Sequence, residues 1–150
     1  MKKYIKSYDT SLQGFQSVCK EVLENIEDKN DMRCSALSDI LENALADARY
    51  ELNLNYDIDD SRYVIDGSSS IKSAYTFICS LYNFRKEKNQ PIFDSLSAND
   101  KMRVRQHLLK VLQLPEGTPG VDGYSIDVSF FYSSNKQRPC VEIVLQHTIL

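Results

Sequence analysis

The chain has 150 residues, of which 42% are hydrophobic and 26% charged. This is too apolar for a disordered chain and long enough to bury a core, so a single globular domain over 1–150 is expected. The formal charge of -3 hides a division: residues 1–66 carry 14 acidic against 8 basic side chains, and residues 67–150 carry 7 against 10.

Such asymmetry speaks about partners rather than chemistry. The first residues, Met1-Lys2-Lys3-Tyr4-Ile5-Lys6, are basic like the start of a secretory signal, but no apolar run follows them. Nor is there a stretch of about 18 apolar residues to span a membrane. Cys19, Cys34, Cys79 and Cys140 are scattered and contain no C-x-x-C pair, which argues against a zinc site. They read as free, mostly buried thiols, and a cytoplasmic location is expected.

From Thr10, the residues Leu12, Phe15, Val18, Cys19, Val22, Leu23 and Ile26 recur at three-four spacing and predict a first helix, with Thr10 and Gln13 as a capping box. A second helix carries Leu37, Ile40, Leu41, Ala44, Leu45, Ala48 and Leu52 on one stripe. Its polar side holds Asp39, Glu42, Asp47, Arg49 and Glu51. The short link near Asn30-Asp31 makes the two helices antiparallel neighbours.

Asn55-Tyr56-Asp57-Ile58-Asp59-Asp60 then reads as a solvated acidic loop, and Arg62–Asp66 as a short strand at a sheet edge. Gly67-Ser68-Ser69-Ser70 supplies a turn and an N-cap for a third helix, from Ile71 to about Lys88. Ile71, Ala74, Tyr75, Phe77, Ile78, Cys79, Leu81, Tyr82 and Phe84 leave that helix no polar face, so it is predicted to be the central one. Pro91 ends the pattern.

Ser97 caps a fourth helix, with Asp100 favouring its N-terminus and Val104, Leu108, Val111 and Leu112, widened by Leu109, as its stripe. From Tyr124 the period becomes two. Tyr124, Ile126, Val128, Phe130 and Tyr132 are followed, after a turn over Ser133–Pro139, by Val141, Ile143, Leu145, His147 and Ile149. This predicts a β-hairpin, with Arg62–Asp66 available as a third strand. The expected fold class is α+β: about four helices packed around a central apolar helix, with a C-terminal antiparallel β-hairpin.

Chemical signatures are weak. Asp57, Asp59 and Ser61 match the first ligands of a calcium loop, but Arg62 stands where that loop needs Gly and Ser68 where it needs Glu. Gly117, Gly120 and Gly123 lack the following helix and Lys-Ser/Thr pair of a phosphate loop. Cys140 and His147, an odd number of residues apart, fall on opposite faces of a regular strand. The basic side of the fourth helix, Lys101, Arg103, Arg105 and Lys110, reads as a solvated face, in a chain whose pI is 5.4. No cofactor, no metal and no direct nucleic-acid partner are expected.

The leading functional expectation is a small acidic cytoplasmic protein that binds another protein with a basic surface. The partner-binding residues are taken to be Tyr56, Asp57, Asp59, Asp60, Tyr63 and Asp66, with Tyr50 as a further anchor, because rim carboxylates steer association and tyrosines anchor contacts. A bacterial immunity protein or antitoxin that neutralises a nuclease toxin has this character, as does a phage-encoded inhibitor. The alternatives are a metal-independent ribonuclease using His107 and His147 as acid and base, and a secretion chaperone or nucleic-acid-binding module. The ribonuclease requires the two histidines to meet in space.

Overall fold

The computed structural model describes residues 10–25, 32–69, 72–116 and 123–149. A short 3-10 turn, Leu12–Gly14, leads into α1 (Phe15–Glu24), followed by α2 (Met32–Glu51), β1 (Asp57–Ser69), β2 (Lys72–Glu87), β3 (Gln90–Asp94), α3 (Ala98–Leu112), β4 (Gly123–Ser133) and β5 (Arg138–Thr148). The basic start Met1–Lys6, the link at Asn30-Asp31, the turn residues Ser70-Ile71 and the Gly117–Gly120 loop lie outside the described residues.

The expected third helix is a strand, which overturns the picture of four helices around a central one. Among the described residues there are three α-helices on a five-stranded antiparallel sheet of order β1-β2-β5-β4, with β3 paired to the far end of β2. The physical reason lies in alternation. In β2 the side chains of Tyr75, Phe77, Cys79 and Leu81 are buried toward the helices, at 0–2% exposure, while Ala74, Thr76 and Ile78 between them are half-buried on the opposite face. With Ala74 and Ile78 on the outer set as well, β2 has apolar residues in both alternating sets and so imitates a helix that is apolar all round. Its aromatic and β-branched residues favour the pleated form.

The β2–β3 reversal is made by Lys88 and Asn89, both at positive φ (45° and 66°), the requirement of a tight two-residue hairpin turn. Pro91 therefore sits near the start of a short strand that pairs with β2 alone, where a missing N–H is tolerated. The hairpin β4–β5 forms as expected, in register from Gly123↔Thr148 to Ser133↔Arg138. Arg62–Asp66 does belong to an edge strand, but it pairs with β2 rather than with the hairpin.

The helices supply the cover. Leu37, Ile40, Leu41, Ala44, Leu45 and Ala48 give α2 a fully buried stripe, and this helix is the central one. With Phe15, Val22 and Leu23 of α1 and Val104, Leu108 and Leu112 of α3, it packs against Phe77, Ile126, Ile143 and Leu145 in one core. Tyr75 spans the layers, donating from its hydroxyl to the Cys34 carbonyl at 2.9 Å. The Ser73 hydroxyl donates to Leu23 O near the end of α1, and Asn43 of α2 donates to Thr10 O near its beginning, so α1 and α2 run antiparallel.

Ser97 caps α3 as its sequence predicts, its Oγ accepting from the Asp100 amide at 3.1 Å. The capping box at Thr10 does not form: the chain enters α1 through the 3-10 turn, preceded by Ser11, with no side-chain cap. The opposite face of the sheet, with Val64, Thr76, Ile78, Glu142, Val144, Asp127 and Ser129, carries no helix among the described residues.

Candidate functional site

The acidic segment is the beginning of β1, not a loop. Asp59 pairs with Ser80 and Arg62 with Ile78, so Asp60 and Ser61 together oppose Cys79 in a β-bulge. Asp60 takes a left-handed backbone (φ 52°), which Asp tolerates, and its amide donates to Asp59 Oδ1 at 2.8 Å. A bulge together with carboxylates is a common way to keep an edge strand from pairing indiscriminately.

The bulge does two things. It turns Ser61 toward α2, where its hydroxyl donates to Glu42 Oε1. It also leaves Asp59 and Asp60 facing the β4–β5 turn. There Arg138 pairs with Asp59 at 3.1 Å and with Asp60 at 3.4 Å, and Lys136 Nζ lies 3.9 Å from Asp60. The Arg138 guanidinium also lies 4.4 Å from the ring centre of Phe93 and 5.5 Å from that of Tyr82. Tyr82 and Phe93 meet edge to face at 4.7 Å. Burial raises the Tyr82 hydroxyl above its ordinary pKa, with Arg138 opposing the shift.

Between α2 and β1 the surface is hollowed on either side of the Glu42–Ser61 bond. One hollow, about 340 Å³, is lined by Glu42, Asn43, Ala46, Ile58, Asp59, Asp60 and Ser61. The other, about 390 Å³, is lined by Ser35, Ser38, Asp39, Glu42, Ser61, Arg62 and Tyr63. Arg62 is the one cation among these lining residues, against Asp39, Glu42, Asp59 and Asp60.

The residues singled out in the sequence divide accordingly. Asp59, Asp60 and Tyr63 line this groove, and Asp57 is exposed two residues before Asp59 on the same strand. Asp66 is exposed farther along β1. Tyr56 is 1% exposed, its hydroxyl donating to Leu45 O, so it anchors β1 to α2 and has no surface to offer a partner. Tyr63 is half-buried and stacks on Tyr75 at 5.2 Å. Tyr50 is open, at 82% exposure. Sequence reasoning placed Asp39 and Glu42 on the polar side of a helix but did not bring them to β1. Their spacing on α2, three residues, was the available signal that they share a face.

The histidines occupy separate settings. His107 on α3 shares a hydrogen bond with Asp47 of α2 at 3.0 Å, and His147 on β5 stacks on Tyr124 at 4.2 Å. On the basic side of α3, Arg103 bonds Asp100 and the Leu52 carbonyl, and Arg105 pairs with Glu116 at 2.6 Å. The four cysteines are buried and none is in a disulfide. Burial pushes the Cys19 thiol up to about 12 and that of Cys79 higher still. Among the described residues no cluster of His, Cys, Asp or Glu could hold a metal ion, and no helix is long and apolar enough to cross a membrane. No family model, no curated protein and no solved structure matches this chain.

Proposed function

We propose that this protein is a capture module for a protein with a basic surface, and that the groove between α2 and β1 is where the partner docks. The observation that supports this reading is that Asp39 and Glu42 of α2 border two adjoining hollows along β1, one of them also bordered by Asp59 and Asp60, whose carboxylates are partly answered by Arg138 and Lys136. Carboxylates arranged in this way raise the association rate of a cationic partner and disfavour an acidic one. The asymmetry of the sequence thereby acquires a location. Within this reading the partner class is a basic nuclease toxin, which would make the protein a cytoplasmic immunity protein or antitoxin.

The test is co-purification from the native cell at low salt, comparing the unmodified protein with an Asp39→Lys, Glu42→Lys variant of unchanged thermal stability. A basic protein recovered with the former and lost with the latter supports the proposal, and inhibition of any nuclease activity it carries supports the narrower class. Recovery of the same proteins by both would remove the groove from the interaction.

A further inference from the structure

The two edges of the sheet are guarded differently. β1 carries the bulge at Asp60 and Ser61, the left-handed backbone of Asp60 and the carboxylates of Asp57, Asp59 and Asp60, all of which discourage a further strand. β4, at the other edge, has none of these. It pairs with β5 without a break from Gly123↔Thr148 to Ser133↔Arg138, contains no Pro or Lys, and has Asp127 as its single charge.

One bond fixes the direction of its backbone groups. The Ile126 amide donates to Pro115 O at 2.9 Å, away from β5, beside the bridge to Glu116. Backbone groups alternate in direction along a strand, so the N–H and C=O of Val128, Phe130 and Tyr132 also point away from β5. Among the described residues no strand pairs with them. Their side chains lie on the helix-facing side, and exposure grows along the strand: Val128 is buried, Phe130 half-buried and Tyr132 59% exposed.

We propose that β4 pairs antiparallel with β4 of a second copy of this chain, about a twofold axis at Phe130, joining two five-stranded sheets into one. In that register Phe130 faces its own copy, Val128 faces Tyr132 of the second copy, and Ser129 faces Phe131 of the second copy. The outward groups of Val128, Phe130 and Tyr132 then exchange about six N–H···O=C bonds. The self-match selects a second copy as the occupant. It covers Tyr132 with Val128, sets the ring of Phe131 over the small Ser129, and keeps the two Asp127 carboxylates about 20 Å apart along the strands, beyond the screening length of about 8 Å. The guarded β1 edge stops the assembly at two copies. A pairing of about seven residues buries less than a standard interface, so the dimer is weak, with a Kd of about 10–100 µM. This inference goes beyond the capture reading and does not use the α2–β1 groove, which lies at the other edge.

The experiment is sedimentation equilibrium of the full chain from about 5 to 500 µM, with amide hydrogen exchange at both ends of that range. The mass should rise from monomer toward dimer, and the Val128, Phe130 and Tyr132 amides should gain protection at high concentration while those of β1 do not. Tyr132→Lys sets an ammonium beside Val128 of the second copy, and Tyr132→Pro removes an outward N–H without touching the ladder to β5. Each should raise the Kd at least about tenfold, whereas Val64→Lys on the exposed face of β1 leaves it unchanged. A chain that stays monomeric throughout overturns the proposal. So does a dimer that survives both Tyr132 variants, or one lost in Val64→Lys without protection along β4, which would move the contact to the open face of the sheet. Tyr132 is largely exposed, so Tyr132→Lys spares the fold, and hydrogen exchange of the unmodified chain tests the pairing with no substitution at all.

Discussion

Arg138 reaches Asp59 at 3.1 Å although β2 lies between their strands in the sheet. The contact ties the bulged edge to the hairpin at the opposite side of β2, and the guanidinium lies against the rings of Tyr82 and Phe93, which meet edge to face. It also means that part of the acidic half is answered by the basic half within the fold.

The first prediction concerns this clasp. Arg138→Ala should cost about 1–2 kcal/mol, because a half-screened ion pair contributes little and the cation–π contacts supply most of the rest. Arg138→Lys should recover only part of it, since an ammonium cannot stack as a planar guanidinium does. Asp59→Asn should cost least, its side chain being 53% exposed. Urea unfolding of the three variants gives the order, and an Asp59→Asn loss equal to that of Arg138→Ala would assign the energy to the ion pair instead.

A second prediction concerns alkaline pH. Burial raises the Tyr75 hydroxyl well above its ordinary value, and raises Tyr124 to about 12 with help from the Glu24 carboxylate; the Cys19 thiol is pushed up to about 12. These groups ionise earlier in the unfolded chain, at 10.0 for tyrosine and 9.0 for cysteine. Above about pH 9 the native state therefore binds more protons than the unfolded one, and stability falls as pH rises toward 12. Tyr75→Phe should lower stability by about 1 kcal/mol at neutral pH, by removing the buried hydrogen bond to the Cys34 carbonyl, and should flatten the alkaline decline. Melting temperature measured from pH 8 upward tests both parts.

A third prediction separates two helix starts that look alike in sequence. Ser97→Ala should lower stability by about 1 kcal/mol, because its hydroxyl satisfies the Asp100 amide. Thr10→Ala should change it by less than about 0.5 kcal/mol, since α1 begins through a 3-10 turn with no side-chain cap. Equal losses would restore the capping box at Thr10.

What the sequence reveals and what it hides follow one physical line. α1, α2, α3 and the β4–β5 hairpin each bury one face and leave the other polar, so their periods survive in the residue order. In β2, Tyr75, Phe77 and Cys79 alternate with Ala74, Thr76 and Ile78, with no charged set to betray the period. The segment from Asp57 to Asp60 reads as a loop because carboxylates are rare in strands; an edge with a bulge is where they are tolerated. The groove itself depends on Glu42 meeting Ser61, and the clasp on Arg138 meeting Asp59, 79 residues earlier. Pairings at that range leave no local pattern.

The clasp changes what charge reversal should do. Asp59 and Asp60 serve the fold through Arg138 and Lys136, whereas Asp39 is exposed on α2, borders the groove and takes part in none of the ion pairs described. Asp59→Lys with Asp60→Lys would set two cations against two others, so it should lower the melting temperature as well as partner association. Asp39→Lys should leave the melting temperature within about 0.5 kcal/mol of the parent in free-energy terms, yet slow association about threefold to tenfold and flatten its dependence on salt. Stopped-flow association across a salt series, beside thermal melts of the same variants, separates the two roles. If Asp39→Lys melts normally and associates at the parent's rate, the carboxylates of α2 are a solvated face and the acidic half is spent on internal pairing alone.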